Sequence, residues 1–248
     1  MEYADGGALG SYLKENFLNL NWGDKYNLAF QLACAVSCLH CEGIVHRDLH
    51  SGNILIRQGV IKLADFGLSK RIEAVTKQQS KVFGVIPYID PQRFARKKKS
   101  ENTSRQFMLT EKSDVYSVGV LFWEISSGRQ PFYVEGEQYD IDLAIEISKG
   151  LREEAVPGTP ENYVEIYTEC WDNEPDNRPS MNQVVDKLNS IIANLNKTKD
   201  EKMNIDNEAS LQSSQSSAQH RYTSSVIASS SINNSLHREF SRLSSSVN

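Results

Sequence analysis

Between residues 24 and 41 apolar side chains return every three or four positions. Leu28, Leu32, Ala35 and Leu39 form one stripe, which predicts a helix laid with that face on a core, capped by Asp24. A shorter helix is expected from Ala8 to Glu15. The period then changes. Ile44-Val45, Ile54-Leu55-Ile56 and Val60-Ile61-Lys62-Leu63 are short β-branched runs that read as strands, the last two joined by a tight turn at Gln58-Gly59. From Glu111 to Ile125 the chain is apolar nearly all round, the mark of a buried helix, and Gly128 follows as a stop signal. Further helices are expected at Ile141 to Lys149, Glu161 to Trp171 and Ser180 to Leu195, the last opened by a Ser180–Gln183 capping box. Cys34, Cys38 and Cys41 recur on one helical face, as small core residues do, and packing is their expected role. Cys38 and Cys41, with His40 between them, have the spacing of half a zinc site, but a structural site needs a second ligand pair and Cys170 is alone.

The pattern breaks near Asn196. Fifteen serines fall between Ser210 and Ser246, with few apolar residues and no sustained period, so residues 196–248 are expected to be a disordered tail behind a folded domain of residues 1–195. Chance matches to phosphorylation patterns, such as Ser224 and Ser241 three positions after arginines, are to be expected in such a tail. The net charge of −5 does not suggest a nucleic-acid binder. No apolar run approaches the ~18 residues a membrane span needs. Met1-Glu2-Tyr3-Ala4-Asp5 lacks the basic and apolar regions of a signal peptide, so an intracellular, cytoplasmic protein is expected, without disulfides.

Chemistry concentrates in His46 to Gly67. Asp48, Asn53 and Asp65 stand among the short strands, and a hairpin of the predicted length returns Asn53 and Asp65 to one end, with Asp48 on the loop just before it. Three oxygen donors so placed suit a hard cation and a phosphate-bearing substrate.

His46-Arg47-Asp48 with Asn53 five residues on, then Asp65-Phe66-Gly67, resembles the catalytic loop and magnesium motif of eukaryotic protein kinases. The resemblance extends from Met1 to about Leu195, and Cys170-Trp171 with Asp176-Asn177-Arg178-Pro179 is similar to the tyrosine-kinase-like branch and the tyrosine kinases. It implies a protein-kinase-like α+β fold whose mainly helical large lobe carries a small β-hairpin at the active site. It implies ATP and Mg2+ as cofactors and a protein as substrate. Asp48 then orients the acceptor hydroxyl and takes its proton, Asn53 and Asp65 hold magnesium, and Arg47 pairs with a phosphate on the activation segment. His46 and Phe66 pack the two motifs together, next to Gly67. Met1 to Leu9 resembles the hinge between lobes, which puts adenine against the backbone of Glu2 and Ala4 and above Leu55. Ser69, Thr76 and Ser80, among lysines and arginines, are candidate phosphorylation sites of the activation segment. Asp114 is expected to brace the His46-Arg47 turn. Arg96-Lys97-Lys98-Lys99 reads as a solvated basic loop, with a docking patch for acidic partners as the alternative.

Departures from the family pattern matter as much. Gln92 stands where the family has a glutamate that pairs with the arginine matched by Arg178, so Arg178 is expected to be partly uncompensated and the substrate platform looser. His50 replaces the lysine of serine/threonine kinases, Gly52 the arginine of tyrosine kinases, and Val85 a threonine, while Pro87-Tyr88 leans to the serine/threonine class, which is favoured. The Gly-rich loop, strand lysine and helix glutamate of the N-terminal β lobe have no counterpart in these residues. The favoured reading is therefore a kinase domain truncated at the hinge, with Met1 an internal methionine and little or no activity in this chain alone. The alternative is a non-catalytic, pseudokinase-like binding or scaffold module with a partner over the exposed hinge face. A small-molecule kinase would leave the Pro87 to Gln92 platform unexplained.

Overall fold

The computed structural model describes residues 5–71, 85–94 and 110–198. The chain divides into two units, residues 1–193 and 194–248, and of the second only 194–198 are described, as helix. The first unit is mainly helical, with two short β-ribbons. Its elements are α1 (Leu9–Asn16), α2 (Trp22–Cys41), β1 (Ile44–Val45), β2 (Ile54–Arg57), β3 (Val60–Leu63), β4 (Lys70–Arg71), α3 (Glu111–Ser127), α4 (Ile141–Ser148) and α5 (Glu161–Cys170). A last helix, α6, begins at residue 181, where Ser180 and Gln183 exchange backbone and side-chain hydrogen bonds as a capping box, and Met181, Val184 and Leu188 enter the core.

Helix α3 is the axis of this unit. Fifteen of its 17 residues are buried, so no solvated face remains. It packs between α2 and α5. Gly119 permits the approach to α5, since a Cβ there would lie 2.9 Å from both the Cys170 Cβ and the Trp171 amide nitrogen. Trp22, Tyr26, Phe122, Tyr163, Tyr167 and Trp171 fill the adjoining space with tilted and edge-on ring contacts.

Helix α2 corrects two expectations. Its N-cap is Asn21 rather than Asp24. Asp24 sits at the third helical position and accepts from the Asn21 amide at 2.9 Å, while the Asn21 side chain accepts from the Asp24 amide. Asn21→Ala should therefore cost about 1 kcal/mol, read as a fall in Tm of roughly 2–4 °C. The buried face is Tyr26, Leu28, Ala29, Leu32, Ala33 and Val36, which rotates Ala35 and Leu39 to its edge. The cysteines lie beyond that edge. Cys34 is half-buried and Cys38 and Cys41 are exposed, so the thiol face does not pack in the core. Cys170 does, and burial pushes its thiol up to about 12.

Both ribbons pack against α2, β3 through Gln31, whose side-chain oxygen accepts from the Ile61 amide at 2.9 Å. In the β2–β3 hairpin, Arg57 pairs with Val60 and Ile54 with Leu63, joined by Gln58 (φ 51°) and Gly59 (φ 74°). Two successive positive φ values suit the twist of flanking strands. The second ribbon pairs β1 with β4, which the sequence pattern did not suggest. It ties the residues before His46 to those after Phe66.

Candidate active site

The hairpin register decides where the oxygen donors go. Asn53 precedes β2 and Asp65 follows β3 by two residues. The Ala64 amide donates to the Asn53 carbonyl at 2.9 Å, which holds the two ends side by side. The Asn53 side-chain nitrogen, Nδ2, donates to the Asp48 carbonyl at 3.0 Å and lies 3.4 Å from Asp48 Oδ2. With the nitrogen so committed, the Asn53 side-chain oxygen is the atom left to meet a cation. Asp65 is exposed and left-handed (φ 58°), a strained conformation steadied as its Oδ1 accepts from the Gly67 amide.

Arg47 is the second strained residue, with φ 75°. Such a conformation costs about 1–3 kcal/mol and persists only where its surroundings impose it. Here Asp114 of α3 imposes it. Its buried carboxylate accepts from the amides of His46 and Arg47, each at 2.8 Å, and from His40 Nε2 at 3.0 Å. Arg47 Nη1 donates to the Leu68 carbonyl at 3.2 Å, and burial pulls its guanidinium below the usual range, against the pull of Asp114. The His46 ring is fully buried. Its Nε2 donates to the Ala64 carbonyl at 3.1 Å, and the ring packs 5.0 Å from Phe66. Thus one side chain joins the turn before Asp48 to the residue before Asp65.

His50 Nδ1 accepts from the Gly52 amide, so its proton is on Nε2, 4.0 Å from Asp48 Oδ1. Burial lowers its pKa from 6.5, more than Asp48 raises it, and the ring is neutral at pH 7. It offers Asp48's neighbourhood one donor and no charge. Gly52 lets the ring lie close, since a Cβ there would stand 2.9 Å from His50 Cε1 and the ring would have to move. Next to His50 an open groove of about 1020 Å³ is lined by Ser51, Tyr88, Glu124 and Lys14 among others.

The remaining candidates fall as follows. Leu55 is half-buried, bridged to Ala8, and the adjoining Gly6 and Gly7 exchange backbone hydrogen bonds with Ile56. Phe66 is 47% exposed beside Asp65. The Ser69 hydroxyl is turned inward, donating to the His46 carbonyl at 3.2 Å. Glu2, Ala4, Thr76, Ser80 and the basic run at 96–99 lie outside the described residues.

Arg178 requires a correction. It is not left uncompensated, because Asp90 forms a two-pronged ion pair with it (2.8 and 3.0 Å) in which both side chains are at most 1% exposed. Arg178 also donates to the carbonyls of Asp172, Lys112 and Asn173. Gln92 instead donates to the Asn173 carbonyl at 3.0 Å. A carboxylate two residues earlier does what position 92 was expected to do. Asp90 is the sole carboxylate in residues 85–94, a signal that was open to reading.

Comparison with known proteins agrees with this arrangement. The family described as protein tyrosine and serine/threonine kinase matches residues 1–188. The chain therefore belongs to the eukaryotic protein kinase family, and its described residues form the mainly helical part of that fold. A "Probable serine/threonine-protein kinase" of Dictyostelium discoideum is 32% identical over 76% of this chain and 8% of its own length. Mast/stem cell growth factor receptor kita of Danio rerio is 32% identical over 79% of this chain and 19% of the receptor. RGS domain-containing serine/threonine-protein kinase A of Dictyostelium discoideum is 32% identical over 77% of this chain and 16% of that protein. The chain thus matches less than a fifth of the length of these three relatives. Among the described residues no helix is long and apolar enough to cross a membrane.

Proposed function

We propose that residues 1–195 supply the large-lobe half of a protein kinase active site that transfers the γ-phosphoryl group of ATP to serine or threonine hydroxyls of a protein. The observation that carries this reading is the convergence of Asp48, Asn53 and Asp65 at one end of the β2–β3 hairpin, with Asp114 holding the strained turn before Asp48.

Asp48 is the proton acceptor and orients the acceptor hydroxyl, its side chain 16% exposed beside His50. Asn53 and Asp65 present hard oxygen donors, the ligand type Mg2+ takes. When bound, the metal neutralises charge on the phosphoryl group in transfer. His50 donates one hydrogen bond where a lysine would bring a charge, which predicts weaker hold on the γ-phosphate. Serine/threonine specificity is favoured over tyrosine because Gly52 stands where tyrosine kinases have an arginine and Pro87-Tyr88 leans to the serine/threonine class. A cytoplasmic, tyrosine-kinase-like signalling enzyme with a separate tail from residue 196 completes the reading.

In the native protein isolated from its own cells, Asp48→Asn should lower phosphoryl transfer from Mg-ATP by about 10²–10⁴-fold while leaving the melting curve in place. Wild-type protein that binds partners yet transfers nothing would overturn the reading. The exposed Phe66 ring favours that second role, a non-catalytic module with a partner over the hinge face.

A further inference from the structure

The last turn of α2 presents two thiols to solvent. Cys38 and Cys41, three residues apart, are both free and both exposed. His40 between them turns the other way, its side chain 8% exposed, and donates to Asp114 Oδ2 at 3.0 Å. The same carboxylate accepts from the His46 and Arg47 amides. A single side chain therefore separates the thiol-bearing turn from Asp114, and one further bond separates it from strained Arg47.

The spacing of the thiols makes this link mechanical. Residues three apart on a helix have Cβ atoms about 5–6 Å apart, whereas a disulfide needs about 3.5–4.5 Å. Closing the bond must tighten the turn. Cys41 is the last residue of α2, and the turn is closed by hydrogen bonds from the Glu42 amide to the Cys38 carbonyl (3.3 Å) and from the Gly43 amide to the His40 carbonyl (2.9 Å). A helix end can give where a helix middle cannot, and His40 lies inside the stretch that gives.

We propose that Cys38 and Cys41 are a redox-sensitive pair, oxidised by a hydroperoxide to an intrahelical disulfide that draws His40 from Asp114 and loosens the His46-Arg47 turn. One thiolate attacks the O–O bond of hydrogen peroxide, giving a sulfenic acid and water. The second attacks that sulfur and expels hydroxide, which leaves as a second water. Two thiols lose two protons and two electrons, and one peroxide becomes two waters. Cys34, one turn earlier, is a poorer competitor because it is half-buried and burial raises its pKa.

The test uses the full chain treated with a few equivalents of hydrogen peroxide and needs no catalytic activity. The peptide spanning Cys38 and Cys41 should become lighter by two hydrogen atoms, and the amides of His46 and Arg47 should exchange about tenfold faster. Dithiothreitol should reverse both changes. Cys41→Ser, a surface substitution, should abolish both, Cys34→Ser neither, and His40→Ala should raise the exchange without peroxide. Separate sulfinic acids, a Cys34–Cys38 bond, or a Cys38–Cys41 bond with unchanged exchange would each overturn the proposal.

Discussion

Asp90→Ala is expected to destabilise the helical unit by about 3–5 kcal/mol, seen as a fall in Tm of roughly 10 °C in a thermal melt. Arg178 is 1% exposed, and its guanidinium lies 5.2 Å over the Tyr116 ring, whose other neighbour is Arg152 at 5.1 Å. The carboxylate of Asp90 accepts not only the two Arg178 bonds but also the Ser113 hydroxyl at 2.9 Å and the Gln92 amide at 3.1 Å. Removing it leaves the cation with carbonyl dipoles and the Tyr116 ring but no counter-charge. Charge is the decisive term, so Asp90→Asn should lose most of what Asp90→Ala loses, although it keeps two hydrogen-bonding atoms. A double variant, Asp90→Leu with Arg178→Met, should recover part of the loss because no buried charge remains unpaired. Equal stability of Asp90→Ala and wild type would mean that another group compensates Arg178.

This pair also shows where the sequence was legible. The short β-branched runs of β2 and β3, the Gln58-Gly59 turn and the all-apolar Glu111 stretch are local signals, and local hydrogen bonding and burial realise them directly. Asp48, Asn53 and Asp65 could be brought together on paper because one short hairpin does so. Asp90 and Arg178 are 88 residues apart, and a motif carried over position by position assigns the partner by place in the sequence, not by which oxygen reaches the guanidinium. The cysteines of α2 failed for a related reason. Their spacing gives a face, but the face of α2 that is buried is the one carrying Ala29, Leu32, Ala33 and Val36, each 0% exposed. The Asn21 cap was missed because Trp22, the first helical residue, lies outside the Leu28 to Leu39 stripe.

Glu124→Gln is expected to remove a pH dependence of stability that the wild-type chain shows between about pH 4.5 and 7. The Glu124 carboxyl is 3% exposed within α3, and burial pushes it up from 4.5 to about 7, only partly offset by hydrogen bonds from Tyr88 (2.7 Å) and Ser51. A raised pKa in an acid means that the folded chain holds the proton over a range where the unfolded chain has released it. Stability therefore declines as pH rises through that range and levels off above pH 7. At about 1.4 kcal/mol per unit, this one group accounts for a decline of about 3 kcal/mol. The quantity to read is the difference between wild-type and Glu124→Gln urea midpoints from pH 5 to 8, which isolates this one group. It should shift in favour of the variant as pH rises. Tyr88→Phe removes a donor from the charged form and should move the window upward. Parallel curves for wild type and Glu124→Gln would show that the buried carboxyl does not titrate there. The location gives the titration a consequence for the site. Tyr88 belongs to the platform at residues 86–92, and Ser51, 3.3 Å from the Tyr88 hydroxyl, follows His50 in the loop that carries Asp48. Loss of the Glu124 proton near neutral pH thus places a negative charge in the wall of the groove beside His50 and Ser51.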